Sequence, residues 1–255
     1  MANRRPDAGG SAFRAAATDF YYQSTRLVPA NVAWGASLLA IVAVGALGSA
    51  LVAIILVPLL CLPLVGIARL AAQAVRGEDV VLSDAAAAAR TYAVPALAAG
   101  AVVVAATVVL AVNMVSGVAS GGPFGLALAV LALWGLIALW LVSLAFWPLL
   151  VDPARDGVPV IAKVRLAVLV VLAEPLRFAR LGAALAVISV LSAIAIVTLL
   201  SVSVAFVLLV SARTVLPAAD RLDAQLARVA APLAPPATRI AESAAGAAAG
   251  PNGSD

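Results

Sequence analysis

Histidine is absent from this 255-residue chain, cysteine and lysine occur once each (Cys61 and Lys163), and charged side chains make up only 11% of it. Without histidine the commonest general base and the commonest zinc ligand are missing. A single cysteine rules out a disulfide within the chain, a Cys-x-x-Cys redox motif and a thiolate zinc site. The neighbours of Cys61 are all apolar, which fits a packed small hydrophobe better than a reactive thiol. The shortage of charge excludes more. A soluble domain carries about 25% charged and about 45–50% apolar residues, whereas this chain is 65% apolar with a mean hydropathy of +1.14. Soluble enzymes, nucleic-acid binders and disordered proteins are disfavoured on that ground. Sixteen basic against twelve acidic residues give a net charge of +4. In a membrane protein that excess reflects arginine retained on the cytoplasmic side, not nucleic acid.

What is present is long uncharged sequence, at residues 27–68, 91–151 and 181–212. A bilayer core about 30 Å thick takes roughly 20 helical residues. The first run would reach about 63 Å as one helix, more than the usual tilt of about 20° absorbs. It is expected to fold back at Gly45-Ala46-Leu47-Gly48-Ser49. In the second run, Ser116-Gly117-Val118-Ala119-Ser120-Gly121-Gly122-Pro123 is the expected break. The third run is long for one crossing and short for two, and only Ser201 and Ser203 hint at a turn.

Charge placement bears on that choice. The basic residues fall in four polar segments: Arg4, Arg5, Arg14 and Arg26; Arg69, Arg76 and Arg90; Arg155, Lys163, Arg165, Arg177 and Arg180; Arg213, Arg221, Arg228 and Arg239. If every run is a hairpin, all of them lie on one side, as the positive-inside rule requires. The expectation is an all-α, polytopic helical membrane bundle of about six transmembrane helices, with both termini cytoplasmic in a bacterial inner membrane. Spans are placed near 28–47, 50–72, 93–114, 124–150, 180–198 and 199–216. A cytoplasmic N-terminal segment occupies 1–26, an amphipathic helix 217–231 (Leu222, Leu226 and Val229 on one face) and a disordered tail 232–255. The polar first 26 residues, followed by a full-length span, do not resemble a cleavable signal peptide.

Short interfacial helices are expected on the cytoplasmic side. In the first loop Gly77 reads as a helix stop and Ser83 or Asp84 as the N-cap of a short helix. In the second, a helix from Pro159 to Ala173 is too short to span and fits the interface. Its loop carries Arg155, Lys163, Arg165, Arg177 and Arg180, candidates for contact with anionic lipid headgroups or with a partner subunit. Pro58 and Pro63 should kink or unwind the second span, as a hinge, a cavity wall or a static kink. Asn31 and Asn113 are placed to hydrogen-bond between helices. Tyr21, Tyr22, Tyr92 and Trp147 are expected in the aromatic belt. Trp134 and Trp140 lie deeper, and with Asn31 are candidates to line a solute cavity; packing or lipid contact is the plainer role.

No ionisable residue falls within an expected span core, which argues against proton-coupled transport, ion pumping and voltage sensing. A rhomboid-type protease needs a histidine and an aspartyl intramembrane protease needs two membrane aspartates. Glu78, Asp79 and Asp84 are the nearest approach to a metal-binding carboxylate cluster, and a solvated loop with a helix cap accounts for them. No Walker A loop or dinucleotide-binding glycine pattern is present. The Glu-Ala-Ala docking loop of ATP-driven permeases is missing too. The reading is therefore a protein without catalytic, cofactor or metal site, not an enzyme.

Three stretches carry a resemblance. They are Leu27-Val28-Pro29-Ala30-Asn31-Val32-Ala33-Trp34; Leu62-Pro63-Leu64-Val65-Gly66 through Ala68-Arg69 to Val75-Arg76-Gly77-Glu78; and Phe146-Trp147-Pro148-Leu149-Leu150, followed by a helix ending near Glu174-Pro175. In order and spacing, from about residue 13 to 225, the chain resembles the YesL-like family of bacterial integral membrane proteins. It departs in its high alanine content and C-terminal tail. The resemblance implies several helical spans, no established cofactor, no catalytic residues to carry over and, for some members, a link to carbohydrate uptake. The functional expectation is an accessory or interaction component of a carbohydrate-uptake system, whose partners are the lipid bilayer and another membrane or transporter subunit. The alternative is a transporter subunit that binds a neutral solute beside the kinked second span.

Overall fold

The computed structural model describes residues 8–195 and 202–230. Among these residues the chain is helical throughout, with no strand. It divides into two compact units, Met1–Pro217 and Ala218–Asp255. Five described helices are long and apolar enough to cross a membrane: Ala12–Leu47, Ala50–Arg76, Ala93–Ser120, Gly122–Leu150 and Pro175–Ile194. The protein is thus an all-α helical bundle of membrane type.

Helix α1 (Ala8–Leu47) runs for 40 residues with Pro29 inside it. The polar N-terminal segment is not separate from the first span, because residues 8–26 continue the same helix. The fold-back comes at Gly48-Ser49, and α2 (Ala50–Leu56) opens the second span. Val57–Leu60 then tightens into a 3-10 turn with Pro58 near its start, before α3 (Cys61–Arg76) resumes the helix. The expected kink is present, and the two prolines share it unequally. Pro58 sits where the ladder changes pitch. Pro63 lies in the first turn of α3, just after that change of pitch.

Gly77 ends α3 in the left-handed conformation (φ +74°). The Glu78 and Gly77 N–H groups donate back to the carbonyls of Gln73 (3.0 Å) and Ala74 (3.4 Å), the paired bonds of a Schellman stop. A Cβ at Gly77 would meet nothing within 4 Å, so only backbone strain opposes a side chain there. Gly77→Ala should cost about 1–2 kcal/mol, read as a lowered Tm in detergent with α3 otherwise unchanged.

Helix α4 (Leu82–Thr91) starts after Val81, which makes no side-chain cap bond. The expectation of Ser83 or Asp84 as the cap is corrected here: both lie inside the first turn. Val80, 1% exposed, anchors the preceding residues and brings the start forward, and the Asp84 carboxylate is turned to Gln73 instead. Helices α5 (Ala93–Ser120) and α6 (Gly122–Leu150) form the second hairpin. The break is much shorter than expected. Residues 116–120 stay helical, and only Gly121 and Gly122, at φ +65° and +67°, turn the chain. Gly117 packs against the backbone of Gly125 and Ala129, a small-residue seam of the kind that brings membrane helices close.

Helix α7 (Val160–Ala173) is about 21 Å long, short of a bilayer crossing. It buries Ala167, Val170 and Val171 and exposes Ile161, Val168 and Leu172 with Arg165 on the outer side, the pattern expected of an interfacial helix. Helix α8 (Pro175–Ile194) follows, and α9 (Val204–Ala230) is the last described. The third uncharged run is therefore not one continuous helix, since α8 stops at Ile194. The sixth crossing expected near 199–216 starts on residues 196–201, which lie outside the described residues, as does the tail from 232. Residues 218–230 are helical, with Leu226 and Val229 exposed.

Within the first unit α9 is tied to α1. Asn31 is fully buried, and its Oδ1 accepts the Ala205 N–H at 2.8 Å. That bond joins a side chain of α1 to the backbone at the start of α9. Arg213 Nε donates to Asp19 at 2.6 Å, and Phe20 meets Phe206 edge to face.

Candidate functional site

Two features concentrate chemistry: a polar cluster where α3, α5 and α6 end or begin, and an apolar cavity between the spans.

The cluster is organised by the C-terminus of α6, whose last carbonyls have no helical partner and carry the negative end of the helix dipole. Two cations meet them. Lys163 reaches in from α7, 1% exposed, and its Nζ donates to the Leu150 carbonyl at 2.7 Å. Arg69 Nη1, from α3, donates to the Val151 carbonyl at 2.8 Å. Immediately after α6, Asp152 is fully buried. It accepts from Arg76 Nε at 2.9 Å and Nη2 at 2.6 Å, from Arg155 Nη1, and from its own loop through the Ala154 N–H. Asp156 accepts both Arg69 Nη groups (2.8 and 3.1 Å) and the Tyr92 hydroxyl at 2.6 Å. The Lys163 ammonium also lies 5.4 Å from the Tyr92 ring centre.

This arrangement sets the ionisation of its members. Burial pushes the Asp156 carboxyl up, but hydrogen bonds from Arg69 and Tyr92 and the nearby positive charge outweigh it, so its pKa is lowered. Burial, followed by the bond to Asp156, pushes Tyr92 up to about 12. Burial lowers Lys163, against the pull of Asp156 and Asp152. The pH window follows from the signs. Tyr92 is held neutral in the fold, so its contribution is complete below the ordinary tyrosine value near 10 and is lost as pH rises toward 12. The Asp156 contribution is present above about 3.9 and lost as pH falls below it. Lys163 runs the other way, since its buried charge costs stability at neutral pH and stops doing so once it deprotonates. A comparison of thermal unfolding between the wild type and Tyr92→Phe from pH 9 to 12 isolates the phenol. The wild type should lose more stability across that window than the variant, and equal losses would contradict the assignment.

The candidate basic residues of the second loop are thereby sorted. Arg155 and Lys163 are turned inward and are corrected from lipid or partner contacts to structural cations. Arg177 pairs with Glu174 at 2.6 Å, while Arg165 and Arg180 remain exposed. The composition of the loop did not reveal this. The readable signal was Asp152 and Asp156, two acids directly after a span whose end needs cations.

The cavity lies beside the 3-10 turn. It holds about 400 Å³ and is lined by Trp34, Leu60, Cys61, Leu64, Trp140 and Trp147 among others. A neighbouring space of about 300 Å³ shares Trp34, Leu64, Trp140, Ser143 and Trp147 with it. Trp140 lies in the wall of both spaces, its Nε1 donating to the Gly182 carbonyl at 3.3 Å. Trp134 is 64% exposed on the outer surface and does not reach the cavity. Asn31 is committed to α9. Trp147 is 8% exposed, a cavity wall and not a member of an aromatic belt. Neither Pro58 nor Pro63 is among the lining residues; Pro58 backs onto Gly100, its Cα 3.4 Å from where a Cβ on that glycine would stand. Apart from Thr107, Ser143, the Cys61 thiol and the indole nitrogens, the lining side chains are hydrocarbon.

Fold and sites together define the class, a polytopic helical membrane protein with an ion-paired polar end and an apolar cleft between its helices. Set against models of known families, curated proteins and solved structures, the chain matches none.

Proposed function

We propose that this is a non-enzymatic accessory protein of a bacterial inner membrane, working through its polar end, with both termini cytoplasmic and six crossings. The observation that carries this reading is the Asp152–Arg76–Arg155 and Asp156–Arg69–Tyr92 cluster, which fixes the loops into a preformed surface beside the exposed Arg165 and Arg180. The resemblance to the YesL-like family points the role toward carbohydrate uptake. Cells lacking the protein should take up labelled mono- or oligosaccharides more slowly, and Arg165→Ala/Arg180→Ala should restore uptake only in part. Unchanged uptake across a sugar panel would remove the carbohydrate link. A reporter fused after Ala219 should read cytoplasmic, and a periplasmic signal would remove the sixth crossing.

A second reading, solute binding in the cavity, is favoured by the tryptophan lining next to the kink. The carbon walls narrow it: a sugar there would leave most hydroxyls without partners, at a cost of roughly 1–3 kcal/mol each. The cavity suits an apolar solute.

A further inference from the structure

The apolar cleft has a length and a polarity that narrow what fills it. Along α6 it runs from Leu136 to Trp147, about 16 Å, the depth of one leaflet in a bilayer core about 30 Å thick. Thr107 and Trp140 are exposed in its walls, so it opens sideways, to where lipid surrounds the spans. Trp147, one turn from the end of α6, and Ser143, one turn deeper, stand at the end nearer the polar cluster. Deeper along α6 the wall continues with Trp140, whose N–H is already committed to Gly182, then Leu139 and Leu136.

The donors at the upper end have no acceptor. Ser37, Ser189 and Thr214 give their hydroxyls to the carbonyl four residues back, the usual outlet of a helical hydroxyl. Ser143 does not, and it makes no hydrogen bond with a described residue. Trp147 is 8% exposed, and its indole N–H likewise meets no acceptor among the described residues. Among those residues the one side-chain polar atom that is both sealed in protein and unpartnered is Gln73 Oε1. The Trp147 N–H is therefore not sealed in, and the open space that Trp147 lines is the cleft. At membrane depth water does not serve such a donor, and leaving it unmet is costly.

We propose that the cleft holds one acyl chain of a glycerolipid, whose ester carbonyl accepts from Trp147 Nε1 and Ser143 Oγ. This rests on the solute-binding reading above and names the solute. Hydrocarbon walls alone would not choose among lipids, because their tails are as apolar as leucine. The ester carbonyl supplies the acceptor, and it sits at the head of the chain, where the two donors stand. Four residues apart on one face of α6, they can share one carbonyl oxygen, which has two lone pairs.

The test uses the full chain in nanodiscs, with Trp134→Phe to remove the one tryptophan outside the cleft. Bromine on an acyl chain quenches tryptophan fluorescence on contact. Ester-linked phosphatidylcholine, brominated along its chains, is titrated into discs of the ether-linked lipid of the same length. Half-maximal quenching should come at a mole fraction of about one sixth, for a roughly fivefold preference for the ester. In the reverse titration, brominated ether lipid into ester discs, it should come correspondingly late. Trp147→Phe and Ser143→Ala, each in the same background, should move both half-points toward equal fractions of the two lipids. Half-points at equal fractions in the parent protein would overturn the proposal while leaving the apolar-solute reading standing; absence of quenching would overturn both. A preference kept in full by both variants would also overturn it, since the carbonyl would then not be held by these donors.

Discussion

Replacing Asp152 by alanine should be the most damaging single substitution at the polar end, lowering stability by about 3–5 kcal/mol. The carboxylate is fully buried and accepts the Arg76 fork, Arg155 and the Ala154 N–H. Its removal takes from two guanidinium groups a shared counter-charge in a place water reaches poorly. Breaking a buried pair from one side is what makes such changes costly; a well-packed pair by itself stabilises little. Asp156→Ala should be milder, because that side chain is 48% exposed and solvent screens its pairing with Arg69. Thermal unfolding in mild detergent, followed by tryptophan fluorescence, would order the two. An Asp152 variant no less stable than the Asp156 variant would show that the cluster does not hold the loops.

The hairpin of α5 and α6 should fail at Gly117 and tolerate change at Gly135. A Cβ at Gly117 would stand 2.6 Å from the Gly125 carbonyl oxygen and 2.9 Å from the Ala129 nitrogen, both backbone of the facing helix. Backbone cannot rotate away, so the helices must part along the seam. Gly117→Ala should cost about 1–3 kcal/mol and Gly117→Val more. At Gly135 the nearest atom is also 2.9 Å away, but it is the Leu110 Cδ2 methyl, the free end of a flexible side chain. Gly135→Ala should change stability by no more than about 0.5 kcal/mol. Equal losses at the two positions would contradict the seam.

Hydrophobic run length and glycine punctuation carried the helical architecture, because a bilayer sets a narrow range of lengths and the first two hairpins each turn at glycine, Gly48-Ser49 and Gly121-Gly122. Boundaries were less legible. Residues 116–120 read as loop from their small and hydroxylated side chains, yet stay helical, since in a membrane the backbone must satisfy itself and only positive φ at Gly121 and Gly122 ends the ladder. The Pro58 kink was legible for the same reason that Gly77 was: each residue restricts its own backbone. The polar cluster was not. Its partners come from segments dozens of residues apart, and no local period marks Arg69 for Asp156 or Lys163 for the end of α6. Counting charge predicted a side of the membrane; it did not predict which charges would be buried. Trp134 and Trp140 show the same limit, since six residues apart on one helix they face different surroundings.

The cluster also has a history within each round of synthesis. Arg69 and Asp156 are separated by 87 positions, and Arg76 and Asp152 by 76. At about 5–20 residues per second, roughly 4–17 s pass before the acids emerge, and during that interval α5 and α6 are made and inserted. The Asp152 and Asp156 carboxylates that Arg76 and Arg69 hold are thus made only after the second hairpin, so the cluster closes late, as a latch on helices already built. A lysine at either arginine would keep the charge while losing the two-pronged grip.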